Sequence, residues 1–436
     1  MRSTNLCLAV GRAMTDDVFV PTEAGLECYE ARAAAIVRDV GRAPDVFLAA
    51  LRQPLPDRAE QDSATLRAGF TLDDARQVIA CEHGAADWDA FTAHLERLIA
   101  GDEQDAFRTA ARAVAAGDPQ TLARCLQEDA ALLDRGRRGT HGHSLLGLAC
   151  HAATGQRSIP LSPASEGVQA CVDRVLANGA DLDAPSAYGW TPLHTCAFSG
   201  HTALARRLLE LGAAPDVTCW ETDGATPLAH ALFYAHRDTA ELLDGAGRAP
   251  DNLRTAAALG DLEGIEGFFT AGGSLRPEAG RGRAFYRPLF LFPEWTPSDD
   301  GREVLDEALV WSARSGRVES MAALVARGAR VDATPYRGTP LVWCVYADHL
   351  EAATWLLDAG ADPDVVHDFG GAEHGRSATA MHLAAQYSCL RTLALLLERG
   401  AATDVADALY HATPLQWAEY AGQTEAAELL RAHGAR

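Results

Sequence analysis

Apolar residues along most of the chain fall into short helical runs punctuated by glycine, and the punctuation repeats. Thr191-Pro192-Leu193-His194 recurs as Thr226-Pro227-Leu228, Thr339-Pro340-Leu341, Thr379-Ala380-Met381-His382 and Thr413-Pro414-Leu415. Threonine caps a helix and proline sits in its first turn, where the missing N–H costs nothing. A turn containing Gly200, Gly316 or Gly422 then leads to a second helix with paired leucines, such as Leu208-Leu209, Leu356-Leu357 and Leu429-Leu430. Gly-Ala marks at Gly179, Gly212, Gly328, Gly360, Gly400 and Gly434 stop that second helix. One such pair cannot bury its own apolar face, so the pattern predicts units stacked in series.

These marks hold one phase over many units and resemble the ankyrin repeat family. The resemblance implies an all-α ankyrin-repeat solenoid over residues 102–436, with about nine helix-pair units and short hairpin fingers. The units are expected to start near Ala106, Gly139, Asp183, Thr222, Asn252, Arg302, Pro335, Asp368 and Leu409. The unit at Asn252 lacks a finger.

Residues 1–101 read as a separate helical N-terminal region. Apolar spacing supports helices around Ala33-Ile36-Val37 and Val46-Leu48-Leu51, and Thr71 with Asp74 has the form of a capping box. Trp88, Phe91, Leu95 and Leu98 share one helical face. Residues 70–98 are similar to a short helical segment that precedes bacterial ankyrin arrays. Its acidic balance argues against a DNA-binding helix pair.

Charge narrows the partners. Among 436 residues, 38 bases face 60 acids, a net charge of −22. Such a surface repels nucleic acid and anionic membrane, and favours another protein with a neutral or basic surface. Every base is arginine, which excludes Schiff-base and phosphate-loop lysines and points to a GC-rich, bacterial genome. The ten cysteines form no Cys-x-x-Cys pair, so neither a zinc ribbon nor a redox motif fits. No cofactor is expected. The short apolar run 6–10 is too brief for a signal-peptide core and no long apolar run follows. A cytoplasmic location is expected, and the polar outer face of the last helix (Glu425, Glu428, Arg431, His433) favours a monomer.

Motifs for catalysis are mostly missing, so the chain leans away from an enzyme without excluding one, and no catalytic residue is assigned. Among metal candidates, His141, His143, Cys150 and His151 cluster in the second unit. His367 and His374, with Asp368 and Glu373, share a long finger. His194 and His382 occupy a position that in ankyrin repeats hydrogen-bonds neighbouring backbone.

The stronger signal is aromatic. Counting from the repeat threonine, or from Glu307 in its place, the fifth position holds Trp311, Trp343 and Trp417. The eighth and ninth hold Phe198, Phe233, Tyr234, Arg314, Tyr346, Gln386, Tyr387 and Tyr420. The resemblance places the latter row on the concave groove where ankyrin proteins bind partners. Finger tips add Tyr188 and Trp190, Trp220 and Asp223, Tyr336 and Arg337, Phe369 and Arg376, and Tyr410 and His411. An insertion at 276–300 carries Phe285, Tyr286, Phe290, Phe292 and Trp295 within residues 281–300, in a chain that is 7% aromatic. It reads either as a cover over the fifth unit's seam or as a lid.

Two functions compete on this basis. One is an interaction module or scaffold using the aromatic groove and finger tips. The other is a small-molecule-binding protein or enzyme, with a pocket under the 276–300 loop served by His230, Arg314, Asp348 and His349.

Overall fold

The computed structural model describes residues 26–41, 48, 51–52, 55–82, 85–100, 106–133, 143–154, 166–186, 189–219, 224–247, 251–283, 297–336, 338–367 and 377–435. Among them are 22 α-helices and no strand beyond two isolated bridges, Phe269 with Leu275 and His367 with Ala378. The chain falls into two compact units, Met1–His230 and Ala231–Arg436. The division at 101/102 expected from sequence lies outside the described residues, and so do Tyr286, Phe290, Trp295, Arg337 and His374.

The first unit opens with α1 (Leu26–Val40), α2 (Ser63–Gly69), α3 (Leu72–Glu82) and α4 (Trp88–Ala100). They enclose a core of Tyr29, Ala33, Ile36, Leu66, Ile79, Phe91 and Leu95. The capping box that opens α3 is reciprocal: Thr71 N–H donates to Asp74 Oδ2 at 2.7 Å, and Asp74 N–H to Thr71 Oγ1 at 3.2 Å. Asp74 also accepts from Arg58 at 2.8 Å, which fastens the segment before α2 to α3.

Helix pairs follow. They are α5 and α6 (Ala106–Ala116, Pro119–Glu128), α7 and α8 (Leu145–Thr154, Glu166–Ala177), and α9 and α10 (Pro192–Ser199, Thr202–Glu210). Next come α11 and α12 (Pro227–Phe233, Arg237–Asp244), with the division between units falling inside α11.

The second unit continues with α13 and α14 (Leu253–Leu259, Leu262–Gly267), α15 and α16 (Gly301–Arg314, Val318–Ala326), and α17 and α18 (Pro340–Tyr346, Leu350–Asp358). It ends with α19 and α20 (Ala380–Gln386, Leu390–Glu398) and α21 and α22 (Pro414–Tyr420, Thr424–Ala432). Its core runs from Leu253 through Leu309, Leu341, Met381 and Leu396 to Leu430.

The repeat marks act locally as their chemistry requires. Thr191 and Thr413 are N-caps with reciprocal partners at His194 and Gln416, and proline fills the first turn of both helices. After α9 and α21 the backbone turns left-handed, at Gly200 with φ 69° and Gly422 with φ 72°. Asp348 (φ 51°) and Ser388 (φ 55°) do the same without glycine's freedom.

Three repeats also reach into the repeat that follows, each within one compact unit. Asp183 Oδ1 accepts from Ala214 N–H at 2.9 Å, Asp332 Oδ1 from Asp362 N–H at 3.1 Å, and Asp364 Oδ1 from Ala402 N–H at 2.9 Å. Arginines tie second helices together, Arg399 to Asp358 at 2.8 Å and Arg317 to Glu241 at 2.9 Å.

The insertion changes the sixth pair. α15 is 14 residues long and is capped by Asp300, so Glu307, at the usual threonine position, lies in mid-helix. The stem 276–283 packs on α13 and α15, with Ala279 buried in the core. Arg254 donates to the carbonyls of Arg281 and Gly282, both at 2.7 Å. Arg283 is clamped by Glu303, Glu307 and the Ser298 carbonyl.

Candidate interaction surface

In the first unit, three chemically capable groups converge beside α9. His194, Cys219 and His230 are buried, and their ligand atoms lie within 4.8 Å of one another. His194 has both nitrogens committed. Nδ1 accepts from Thr191 N–H at 3.1 Å, which leaves Nε2–H to donate to the Ala225 carbonyl at 3.1 Å. His230 Nδ1–H donates to the Thr226 carbonyl at 2.9 Å, so its bare Nε2 faces Cys219 Sγ at 4.0 Å. An ion held by all three would require His194 to surrender its bond to Ala225. His382 repeats the His194 arrangement in the second unit, with Thr379 N–H at 3.1 Å and the Ala412 carbonyl at 3.1 Å.

Burial sets the protonation of this cluster. Desolvation, with the charge of His230, lowers His194 to about 3, and desolvation lowers His230 to about 4. Burial also pushes the Cys219 thiol far up, so it is no nucleophile at neutral pH.

Both folded imidazoles stay neutral, whereas unfolded ones take up a proton below about pH 6.5. Stability is therefore complete above that value. It is lost as pH falls, down to the folded values near 4 and 3. The expected cost at pH 5 is about 2 kcal/mol per histidine, or roughly 2–4 °C in Tm per kcal/mol for a unit of this size. Melting curves at neutral pH and at pH 5 check this. The drop should shrink in His230→Gln, and a Tm indifferent to pH would contradict it.

In the second unit aromatic rings meet in series from Phe233 through Trp343 and Tyr346 to Tyr387, but the row is not uniformly open. The Arg314 guanidinium is 2% exposed and lies 4.1 Å from the Phe233 ring and 3.9 Å from the Trp343 ring. Tyr346 and Tyr234 stand at 5.7 and 6.0 Å. The Tyr346 ring meets Tyr387 edge-on at 5.1 Å. Burial, foremost, keeps the phenol of Tyr234 protonated far above the ordinary tyrosine range.

The row thus divides. Phe233, Arg314, Tyr336, Trp343 and Trp417 are buried, as are Trp190 and His230 in the first unit, and so is the metal candidate His367. Their side chains are therefore covered by the chain itself. Phe198, Tyr234, Tyr346 and Gln386 are half-buried. Tyr387 is 42% and Tyr420 94% exposed.

One residue that the repeat pattern does not mark builds the last finger. Buried Asp407 accepts through Oδ1 from the Leu409 and Tyr410 N–H groups at 2.8 and 2.7 Å. Through Oδ2 it accepts from Ala412 N–H and Trp417 Nε1–H, both at 3.0 Å. Desolvation works against its charge, yet these bonds hold its carboxyl below the usual range. They close a rigid loop whose tip shows Leu409 and Tyr410, the latter 59% exposed.

The profile described as ankyrin repeats (3 copies) matches residues 163–250 and 294–367, and the profile of a single ankyrin repeat matches 377–408. These are ankyrin repeats. The fingerless pair α13 and α14 falls between the matched stretches, where the repeat threonine is replaced by Asn252.

A RelA-associated inhibitor of Mus musculus is 36% identical over 80 residues, which cover 16% of this chain and 10% of that protein. No helix among the described residues is long and apolar enough to cross a membrane.

Proposed function

We propose that this ankyrin-repeat chain is a protein-interaction module whose contact surface lies on its last three repeats. One observation carries the reading. Of the eight large hydrophobic residues exposed among those described, five (Val366, Tyr387, Leu409, Tyr410 and Tyr420) fall between residues 366 and 420. Elsewhere such side chains are scattered singly, as on any surface. Tyrosines on a preorganised finger and along an inner-helix row give large contact area for little ordering entropy. The net charge of −22 favours a neutral or basic partner. The relative's printed name records association with another protein, which agrees in kind. The stem of the 276–300 insertion, gripped by Arg254 and Arg283, suits a cover over the seam of the fifth repeat better than a lid.

The test uses the full chain and two variants, Tyr410→Ser with Tyr420→Ser, and Asp407→Asn. The tyrosine changes lie on the surface and leave stability within about 0.5 kcal/mol. Asp407→Asn strips charge from four donated bonds and is expected to cost about 2 kcal/mol, with hydrogen-exchange protection lost first at 409–412. A stoichiometric second chain captured by the wild type from its source lysate should be lost with both variants. Undiminished capture by the double tyrosine variant would remove this surface from consideration.

A further inference from the structure

We infer that the exposed end of the tyrosine row, Tyr387 and Tyr420, receives the guanidinium group of an arginine on the partner. This rests on the surface proposed above and adds the chemistry it selects.

The chain already shows what the row holds. At its buried end the Phe233 and Trp343 rings stand 6.1 Å apart, and the guanidinium of Arg314 is wedged against both. Arg314 occupies the eighth position of its own repeat, where other repeats place Phe198, Phe233, Tyr346, Gln386 and Tyr420. The row is therefore a ladder of rings that admits a planar cation between rungs. The same contact recurs with Arg327 over Phe269 at 4.2 Å and Arg254 over Trp311 at 5.2 Å.

Beyond Tyr346 stands Tyr387, the C-cap of α19, and Tyr420 ends α21, the helix packed against α19. Helices in contact lie about 8–10 Å apart, a separation that leaves room for one flat group between rings they carry.

Among the described residues, the arginines of the last two repeats are committed elsewhere. Arg391 donates to Asp348 Oδ2 at 3.2 Å and to its carbonyl at 2.8 Å, and Arg431 donates to Glu419 at 2.6 Å. The remaining charge of the chain is strongly negative, so a cationic segment is drawn in. A guanidinium sheds water more readily than an ammonium and lies flat on a ring, so arginine is selected over lysine.

Fluorescence anisotropy with the full chain tests this. The probes are a labelled Gly-Ser peptide carrying two arginines and the same peptide carrying two lysines. The arginine peptide is expected to bind roughly tenfold tighter. That preference should survive about 0.5 M NaCl, where screening removes plain charge attraction. It should disappear in Tyr387→Ser with Tyr420→Ser and persist in Tyr420→Phe.

Equal affinity for the two peptides, or a preference indifferent to the tyrosines, overturns the inference. A captured partner that still depends on Tyr410 and Tyr420 while the peptides bind alike would sink the guanidinium assignment alone. Loss of both dependences would sink the surface as well.

Discussion

Glu307→Ala is expected to lower stability by about 3–5 kcal/mol, the largest effect of any single substitution considered. Glu307 is 1% exposed in the middle of α15, and two buried arginines depend on it. Arg254 Nε lies 3.5 Å from one carboxylate oxygen, and Arg283 Nε donates to the other. Burial pulls the Arg283 pKa down, but Glu307 and Glu303 more than offset it, and the group is held above its usual value.

Removing the carboxylate leaves positive charge in the interior with Glu303 as the remaining acid on Arg283, and the cost comes mainly from that uncompensated charge. Glu307→Gln keeps the shape and should fall between the two. Urea unfolding measures the loss. Hydrogen exchange locates it, with α13, the 276–283 stem and α15 exchanging first. A loss below about 1 kcal/mol would place the network among ion pairs of little net worth.

Arg314→Ala is the second large effect, at about 3 kcal/mol, from a desolvated cation–π contribution of about 2 kcal/mol and the cavity left between rings. Arg314→Met separates the two parts, because it refills most of the volume without the charge. If the aromatic box recognises a cation, the methionine variant remains destabilised and Arg314→Lys recovers little, since an ammonium is more strongly hydrated. If it is simply a packed core, methionine restores wild-type stability.

The nine helix pairs were legible because threonine caps, first-turn prolines and left-handed turns are local chemistry, written within a few residues of where they act. The aromatic row was legible as a register, since equal positions in successive repeats share one face. Its division was not. Arg314 is swallowed because Phe233 and Trp343, 110 residues apart in sequence, close on it in space, and no local signal carries that distance. Buried Tyr336 shows the same limit, for an aromatic residue on a finger reads alike whether it faces solvent or a neighbour. Asp407 belongs to no repeat mark, so the repeat pattern does not single it out. The available signal was an acid ten residues before Trp417, at the foot of a finger with an aromatic tip. The Cys219 and His230 pair was hidden likewise, since their eleven-residue spacing matches no ligand motif.

The forward reach of each repeat bears on how the chain is made. Asp183, Asp332, Asp364, His194 and His382 find their partners on backbone that is translated later, about 30 to 38 residues downstream. A repeat leaving the ribosome is thus incomplete until its successor follows. Order settles one repeat behind synthesis, and a pause in translation leaves one unfinished seam at the growing end.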